Sequence, residues 1–467
     1  MMKNPMPLNR LTGRRTAVAI ALASAMGLAG CNTDKLLTVA TPDVVRPSDL
    51  SSAAALPNAY NAAIGDFALG YAGSGASEGL GLMSGLLADE LYDAETFPTR
   101  IEVDMRRTNP INSTMLPIYR NIHRARATAE LVSSRYAALD ANNPNRPEVQ
   151  ALDAYTYVLF AENYCNGVPT SRLDPSGAFI YGAPQTGAQM LTIAVAKFDS
   201  AITLATTLGA SATTALNLAR IGKGRAQVDQ GNYAAAAVTV AAVPSTFAYN
   251  ILHDENTARQ NNGVYAFTFA SKRLSVSSGE GTNGLPFNSN GDVRVAAFRN
   301  GGGFTATIPF FQTAKYQGFP IAGVRNSPTP LALGTEARLI EAEAALAAND
   351  DITFLAKLND ARANAKTYAR TNVPPASPAA LTIADLGATP QSRQNLLFAE
   401  RAYDQYLTAH RLGDLRRLVR QYGRGAETVF PTGNYIQGGI YGTDVNLPVP
   451  FEEGNNPSFT ACIDRAA

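Results

Sequence analysis

The chain has 467 residues, 46% of them hydrophobic and 16% charged, with no tryptophan and a formal net charge of +1. It is long enough to bury a sizeable core and too apolar for disorder. It lacks the glycine period of collagen, the sustained heptads of a coiled coil and the basic excess of a nucleic-acid binder. Three cysteines and three histidines give a multi-ligand structural metal site little to work with.

The amino end reads as an address. Lys3, Arg10, Arg14 and Arg15 precede an uncharged apolar run at 16–29. That run is shorter than the ~20 residues of a spanning helix, and with its basic flank it fits an export signal. Leu28-Ala29-Gly30-Cys31 resembles the bacterial lipobox, in which the cysteine is lipidated and becomes the first mature residue. The alternative is an ordinary secretory signal with an incidental cysteine. Acyl burial at ~0.8 kcal/mol per CH₂ would hold Cys31 in a bilayer once several chains act together. Losing residues 1–30 removes four positive charges and no negative one, so +1 becomes −3. Asn32, rather than an aspartate, follows Cys31, which gives no hint of inner-membrane retention. No later segment has eighteen consecutive apolar residues, so the body is expected to be tethered, not membrane-spanning. The expected organisation is a signal peptide at 1–30, a lipidated tether at 31–48 and one domain at 49–467.

In chain order, Pro42 and Pro47 mark the tether as extended, and Ser48-Asp49 caps a helix expected at 49–66. A glycine-rich stretch at 70–85 leads into a short helix and loop. Residues 112–136 are strongly amphipathic, with Ile118, Ile122, Ala125 and Ala129 on one face and Arg120, Arg124 and Glu130 off it. After a turn at 142–147, helices are predicted at 148–163, 187–208, 212–230 and 232–243. The stretch 244–330 is rich in Asn, Gly, Ser, Thr, Phe and Tyr without helical period, and should hold short strands, turns and binding loops. Helical pattern returns at 334–349, 351–368 and 391–420, and the last forty-five residues are irregular. The pairs 212–243 and 334–368 share an alanine-rich helix, a turn (Gly-Asn-Tyr or Ala-Asn-Asp) and a second helix. Such pairs are similar to tetratricopeptide repeats. The fold class expected is mostly α: tetratricopeptide-like helix pairs with large irregular loop insertions and a few short strands.

Chemical motifs are sparse. His123, His253 and His410 lie far apart without ligand spacing. Gly73-Ser74-Gly75 is neither a nucleophile elbow nor a dinucleotide loop, and Gly222-Lys223-Gly224 is not a P-loop. Asp89, Glu90, Asp93 and Glu95 have the composition of a Ca²⁺ site or a glycosidase carboxylate pair, but read more simply as a solvated helix end. No catalytic residue, metal ligand or cofactor is assigned. Cys165 and Cys462 belong to an exported chain, where disulfides persist. Two readings stand: a bridge tying the C-terminal tail to the helix end at 151–170, or two buried free thiols.

Five motifs, in order after the lipobox, resemble one family. Asn166-Gly167-Val168-Pro169 fits G-D-V-P. The Glu341-Ala342-Glu343-Ala344 run, preceded by Glu336 and Arg338, fits E-x-x-L-I-x-A-E-A. Leu358-Asn359-Asp360-Ala361-Arg362 fits L-N-x-x-R. Glu400-Arg401-Ala402-Tyr403-Asp404 through Arg411-Leu412-Gly413-Asp414-Leu415-Arg416-Arg417 fits E-R-x-x-E-L-x-x-E-G-x-R-x-x-D-L-x-R. It departs at Asp404, at Gln405 and at Thr408-Ala409. Leu447-Pro448-Val449-Pro450, with Glu453 and Asn456-Pro457, fits the ending L-P-I-P-x-x-E…N-P. The chain thus resembles the SusD/RagB nutrient-uptake outer-membrane lipoproteins.

The resemblance implies a single SusD-like domain on the outer membrane, lipid-anchored and facing outward. It implies a binder that captures an oligosaccharide or peptide and passes it to a SusC-like TonB-dependent transporter. With no tryptophan, tyrosine and phenylalanine must do any stacking on sugar faces. By analogy and composition the ligand loops are 67–107, with Tyr71, Tyr92 and Arg100, and 260–320, with Tyr265, Asn283, Phe287 and Arg294. Each aromatic also has the plainer reading of loop packing, and Asp292-x-Arg294 that of a structural pair. Glu400, Arg401, Arg411, Asp414 and Arg417 are expected to form ion pairs locking helices to the C-terminal loop, serving geometry more than net stability. The competing functions are a surface glycoside hydrolase and a helical-repeat assembly lipoprotein without a small ligand.

Overall fold

The structure is a computed structural model that describes residues 52–174, 178–316, 325–369 and 373–467; the signal segment, Cys31, the tether at 31–48 and the Ser48-Asp49 cap lie outside them. The first helix, α1 (Leu56–Ala72), begins seven residues later than the expected 49. Pro57 in its first turn suits a helix start, and the buried Phe67, Leu69 and Tyr71 carry it past Asp66. Next come α2 (Leu80–Leu87), α3 (Pro98–Asp104), α4 (Met115–Leu139) and α5 (Arg146–Asn163). The chain continues through α6 (Gly187–Leu208), α7 (Thr213–Asp229), α8 (Tyr233–Val240), α9 (Gly334–Ala347) and α10 (Asp351–Asn364) to α11 (Pro390–Asp404) and α12 (Arg411–Arg420).

The long helices stack as neighbours: α1 on α4, α4 on α5, and so on through α6, α7, α8, α9 and α10. On α4 the apolar stripe, including Ile118, Ile122, Ala125 and Ala129, is buried. α5 from Ala151 onward and α9 up to Glu343 are buried on every side, which places them at the centre. The two look-alike hairpins close in the same way. After α7, Gly231 is left-handed (φ 77°) and the Asn232 N–H donates to the Gln227 carbonyl at 2.8 Å. After α9, Asn349 is left-handed (φ 56°) and the Asp350 N–H donates to the Ala345 carbonyl at 2.9 Å. Both are Schellman closures, with glycine or asparagine at the left-handed position. One stretch, Gly187–Asp229, is long and apolar enough to cross a membrane by length and composition alone. It is bent at Gly209 into α6 and α7, which pack side by side.

The strands are short antiparallel pairs: β1 (Leu91–Asp93), β2 (Val168–Pro169), β3 (Arg172–Leu173), β4 (Phe179–Ile180), β5 (Pro184–Gln185), β6 (Ala248–Ile251), β7 (Leu274–Val276), β8 (Ala297–Gly302), β9 (Pro309–Thr313) and β10 (Thr329–Leu333). They define two outgrowths from the stack. β6 pairs with β10 and closes the base of the middle insertion, which β7 ties to β1. Between α5 and α6, β2–β5 and β3–β4 build a smaller one. The insertion is not wholly irregular: Gly263–Ala270 is helical and ends in a π turn.

The expected helix at 391–420 is two helices. Between α11 and α12, Leu407 (φ 55°) and Ala409 (φ 59°) are left-handed and the segment is buried. Side chains from distant elements satisfy much of its backbone. Glu90 accepts from the Leu407 N–H (2.8 Å), and the Tyr71 hydroxyl shares its one proton between the Thr408 (3.0 Å) and Pro330 (2.8 Å) carbonyls. Lys315 donates to the Tyr406 carbonyl (2.9 Å) and Arg225 to the Ala409 carbonyl (3.0 Å). A buried, non-helical segment requires such partners.

Around this break lies a network of ion pairs. Glu400 takes Arg294 (2.7 Å) and Arg362, and Arg401 Nε takes Asp414 (2.8 Å). Arg411 takes Asp89 (2.6 Å), and Arg417 takes Asp414 (2.8 Å), Asp229 (3.3 Å) and Glu343. Burial pushes the Asp414 carboxyl up, but Arg401 and Arg417 more than offset this and hold it well below the usual range. The partners lie on α7, α9, α10, the middle insertion and the loop after α2, which corrects the expectation that these residues lock helices to the C-terminal loop. That loop is held instead by Arg106, which donates to the Asp444 (2.9 Å) and Pro431 (2.6 Å) carbonyls, and by Arg416. Cys165, just beyond α5, is bonded to Cys462 (S–S 2.06 Å).

Candidate functional site: a cleft of rings and guanidiniums

The larger outgrowth meets the stack at a cleft of about 590 Å³. Its position depends on a close backbone approach. A Cβ on Gly263 would sit 2.4 Å from the Ala72 carbonyl oxygen and 2.6 Å from the Ser74 nitrogen. Only glycine lets the helical segment of the insertion lie on the turn after α1. The Gly75 N–H then donates to the Ala258 carbonyl (2.8 Å). Asn262 caps the segment, accepting from the Tyr265 N–H (3.0 Å) and donating to the Ser327 carbonyl (2.6 Å). The π turn Ala266–Ala270 follows, a local widening common at functional sites. Tyr265 stacks on Phe269 (5.1 Å, 20°), while Tyr265, Phe267, Ala270 and Ser271 line the cleft.

The opposite wall is the start of α3. Phe97, 45% exposed, precedes Pro98, and the Arg100 guanidinium lies 4.5 Å from its ring centre. The same guanidinium is 5.1 Å from Phe267, so it bridges the two walls. Glu78 and Glu95 pair with it. Arg273 shares Glu95 and lies 4.6 Å over Phe304, a ring 60% exposed. Arg325 and Ser271 add exposed or half-exposed donors at the rim. Ring faces and guanidinium planes make flat, weakly hydrated surfaces, each contact worth about 0.5–2 kcal/mol. The volume suits a small-molecule site. Both nearby carboxylates are tied to arginines, which leaves neither placed as a free acid or base.

Of the residues singled out in sequence, the cleft brings together Arg100 and Tyr265. Tyr92 lies in a separate cavity of about 340 Å³ with Glu280 and Tyr441, its hydroxyl on the Pro309 carbonyl. Asn283 borders a third recess and pins the C-terminal segment through the Glu427 and Phe430 carbonyls (2.8 Å each). Three assignments are corrected. Tyr71 is a core residue, 1% exposed, donating to the Pro330 carbonyl (2.8 Å). Phe287 is buried against Tyr403 and Tyr406 (5.5 and 5.2 Å). Arg294 is enclosed between Asp292 (2.8 Å) and Glu400. The cleft residues missed are Phe97, Phe267, Arg273 and Arg325, with Phe304 beneath Arg273 beside it. The available signal was the run AFTFA at 266–270 beside Lys272-Arg273, where aromatics and cations adjoin in a polar stretch.

The acidic run is no solvated helix end. Asp89, Glu90, Asp93 and Glu95 are all buried, with Asp89 on Arg411, Glu90 on the Leu407 N–H and Glu95 on Arg100 and Arg273. Asp93 faces a second buried carboxyl: the Asp93 N–H donates to Asp104 (2.6 Å), which also receives the Tyr435 hydroxyl (2.7 Å). Glu280, against Asp104, receives Tyr441 (2.7 Å). Burial, then the neighbouring Asp104 charge, pushes Asp93 up to about 8. Burial pushes Asp104 up to about 7, and raises Glu280 with help from Asp104. Among the described residues no group of three or more His, Cys, Asp or Glu is arranged to hold a metal ion. His410 is buried between Glu336 (2.9 Å) and Thr408, and His253 bonds Thr329 (2.9 Å).

No family model and no curated sequence matches the chain. Solved structures do. A SusD-like carbohydrate-binding protein from Bacteroides fragilis superposes with a TM-score of 0.62 at 15% identity, over 88% of this chain and 100% of that one. A SusD superfamily protein from Bacteroides thetaiotaomicron gives 0.59 at 15% identity, over 88% and 98%. A SusD/RagB family protein from the same species gives 0.59 at 13% identity, over 89% and 95%. The chain has the SusD-like fold.

Proposed function

We propose that this chain is a non-enzymatic, cell-surface nutrient-binding lipoprotein that captures an oligosaccharide, or a peptide, in the Phe97–Phe267 cleft. On this reading it is anchored to the outer membrane through Cys31 and delivers its ligand to a SusC-like TonB-dependent transporter. The observation that carries the binding step is the Arg100 guanidinium set between Phe97 and Phe267, beside Arg273, which lies over the exposed Phe304 ring. Flat faces suit the C–H face of a sugar ring, and rim donors suit hydroxyls. Arg100 and Arg273 are balanced by Glu78 and Glu95, which suits an uncharged ligand. The carbohydrate-binding description of a structural neighbour and the lipobox-like Leu28–Cys31 run support the reading.

A ligand that binds only the folded state raises stability by RT ln(1 + [L]/Kd), about 2.7 kcal/mol at a hundredfold excess over Kd. A thermal-shift screen of neutral oligosaccharides and short peptides is therefore the test. One class is expected to raise the melting temperature, and Phe97→Ala to remove the rise. Turnover of a polymer by the purified protein would replace this reading with the hydrolase. Labelling with a fatty-acid precursor, abolished by Cys31→Ala, tests the anchor, and co-purification with a barrel transporter tests the partner.

A further inference from the structure

The smaller outgrowth makes a second cleft, of about 530 Å³, where the β3–β4 hairpin meets α4 and the C-terminal tail. Its wall carries a stacked pair of rings that, unlike the Tyr265–Phe269 stack of the first cleft, is open to solvent. Phe179 and Tyr181 lie on one side of the hairpin, two residues apart, with centroids 6.1 Å apart and planes within 16°. They are 69% and 47% exposed, so this flat face is turned to solvent rather than to the core.

The charge differs too. Arg120, Arg124, Arg126 and Arg172 line the cleft against Glu452 and Glu453. Arg126 is answered on its own helix by Glu130 (3.2 Å) and by the Ser171 carbonyl. Glu453 is occupied by the Tyr119 hydroxyl (3.1 Å) and by Asn456. Arg120 forms no ion pair among the described residues, nor does Arg124, which acts electrostatically on Asp66 while Asp66 pairs with Arg259. The cleft therefore has cationic donors in excess beside a flat aromatic face. The tail wall is fixed in place, since Asn456 donates to the Gly182 carbonyl (2.9 Å), Asn166 to Asp464 (2.9 Å), and Cys462 is bonded to Cys165.

We propose that this second cleft binds an acidic sugar, its ring face on Phe179–Tyr181 and its carboxylate on the guanidiniums of Arg120 and Arg124. Ring stacking supplies orientation and the charge-assisted hydrogen bonds supply selection for the acid. The site is independent of the first cleft, which shares none of these residues.

The test is calorimetric titration of the full chain with trimers of galacturonate, glucuronate and mannuronate, each beside its methyl ester. The ester keeps the ring and removes the charge. At least one acid is expected to bind saturably, with its ester about tenfold weaker or more, because a charge-assisted hydrogen bond is lost. Raising the salt concentration should weaken the acid and not the ester. Both the Phe179→Ala/Tyr181→Ala and the Arg120→Gln/Arg124→Gln variants should lose about tenfold, with melting temperatures unchanged because the four side chains stand at the surface or rim. Phe97→Ala should leave the binding intact. The proposal is overturned if no acid binds better than its ester, if binding survives both double variants, or if Phe97→Ala is the substitution that removes it.

Discussion

The junction around α11 and α12 and the cleft around Phe97 use the same chemistry, arginines shared among carboxylates, in opposite settings. At the junction Arg401, Arg411 and Arg417 are enclosed and paired with Asp414, Asp89 and Glu343. At the cleft Arg100 and Arg273 share Glu95 in a similar way, yet their planes lie on phenylalanines that are about half exposed. An arginine–carboxylate pair is thus a structural lock where everything around it is buried, and part of a recognition surface where the rings laid against it are themselves open to solvent. Residue type does not separate the two; what covers the guanidinium does.

The sharpest way to break that comparison is Arg401→Ala. It leaves Asp414 and Glu343 buried with one cation fewer, and breaking such a pair costs about 3–5 kcal/mol. A large fall in melting temperature is expected, with ligand affinity in the first cleft unchanged in whatever fraction folds. A binding defect at unchanged stability would move Arg401 out of the structural class. The bridge between Cys165 and Cys462 closes a separation of 297 residues, and its removal by Cys462→Ser should cost about 2–5 kcal/mol. Thiol titration of the denatured, unreduced protein should find neither of these two sulfhydryls.

A smaller effect separates the carboxyls that have arginine partners from those that do not. Asp93, Asp104 and Glu280 are neutralised by burial instead of by cations. Their folded pKa values lie above the unfolded ones, so the folded state holds more protons. The contribution of Asp93 and Asp104 is complete below about pH 4 and is lost as pH rises through about 7 to 8, and Glu280 shifts in the same direction. The melting temperature should therefore fall between pH 6 and 9, and Asp93→Asn should flatten that fall. Asp414, held down by Arg401 and Arg417, has the reverse sign, and its contribution is lost only in acid. A flat profile from pH 6 to 9 would mean that the trio is already compensated.

The helices were legible because their period and turn residues are local facts. The span 187–208 is found with its expected ends, and Gly231 and Asn349 mark the two hairpin turns. The break at 405–410 was not legible. Nothing in Gln405-Tyr406-Leu407-Thr408-Ala409-His410 forbids a helix; the break is held by Glu90, Tyr71, Lys315 and Arg225, more than sixty residues away along the chain. The site was half legible for the same reason. Composition pointed to the loops, and Arg100 and Tyr265 do meet. Which tyrosine or arginine of those loops faces out is set by tertiary packing. Tyr71 lies on α1 facing Pro330, and Arg294 turns inward to Glu400. The composition of the acidic run gave no sign that Arg411, over three hundred residues on, would cover Asp89.

The finest test acts on a single guanidinium at the open end of the comparison. Arg273 shares Glu95 with the better buried Arg100, so Glu95 keeps a partner when Arg273 is removed. Its side chain is 30% exposed while Glu95 is buried, so what limits the cost of its loss is that Arg100 still pairs with that carboxylate. Arg273→Ala should therefore shift the melting temperature little, while freeing Phe304 from the plane that covers it and weakening ligand binding about tenfold. Arg273→Lys separates charge from shape. Lysine keeps the positive charge and can reach Glu95, but has no plane to lay on the ring or to offer a ligand. If recognition depends on the flat face, lysine should restore stability and leave affinity low. If lysine restores both, the arginine acts only as a charge, and the contrast between locked and open guanidiniums reduces to one of burial alone.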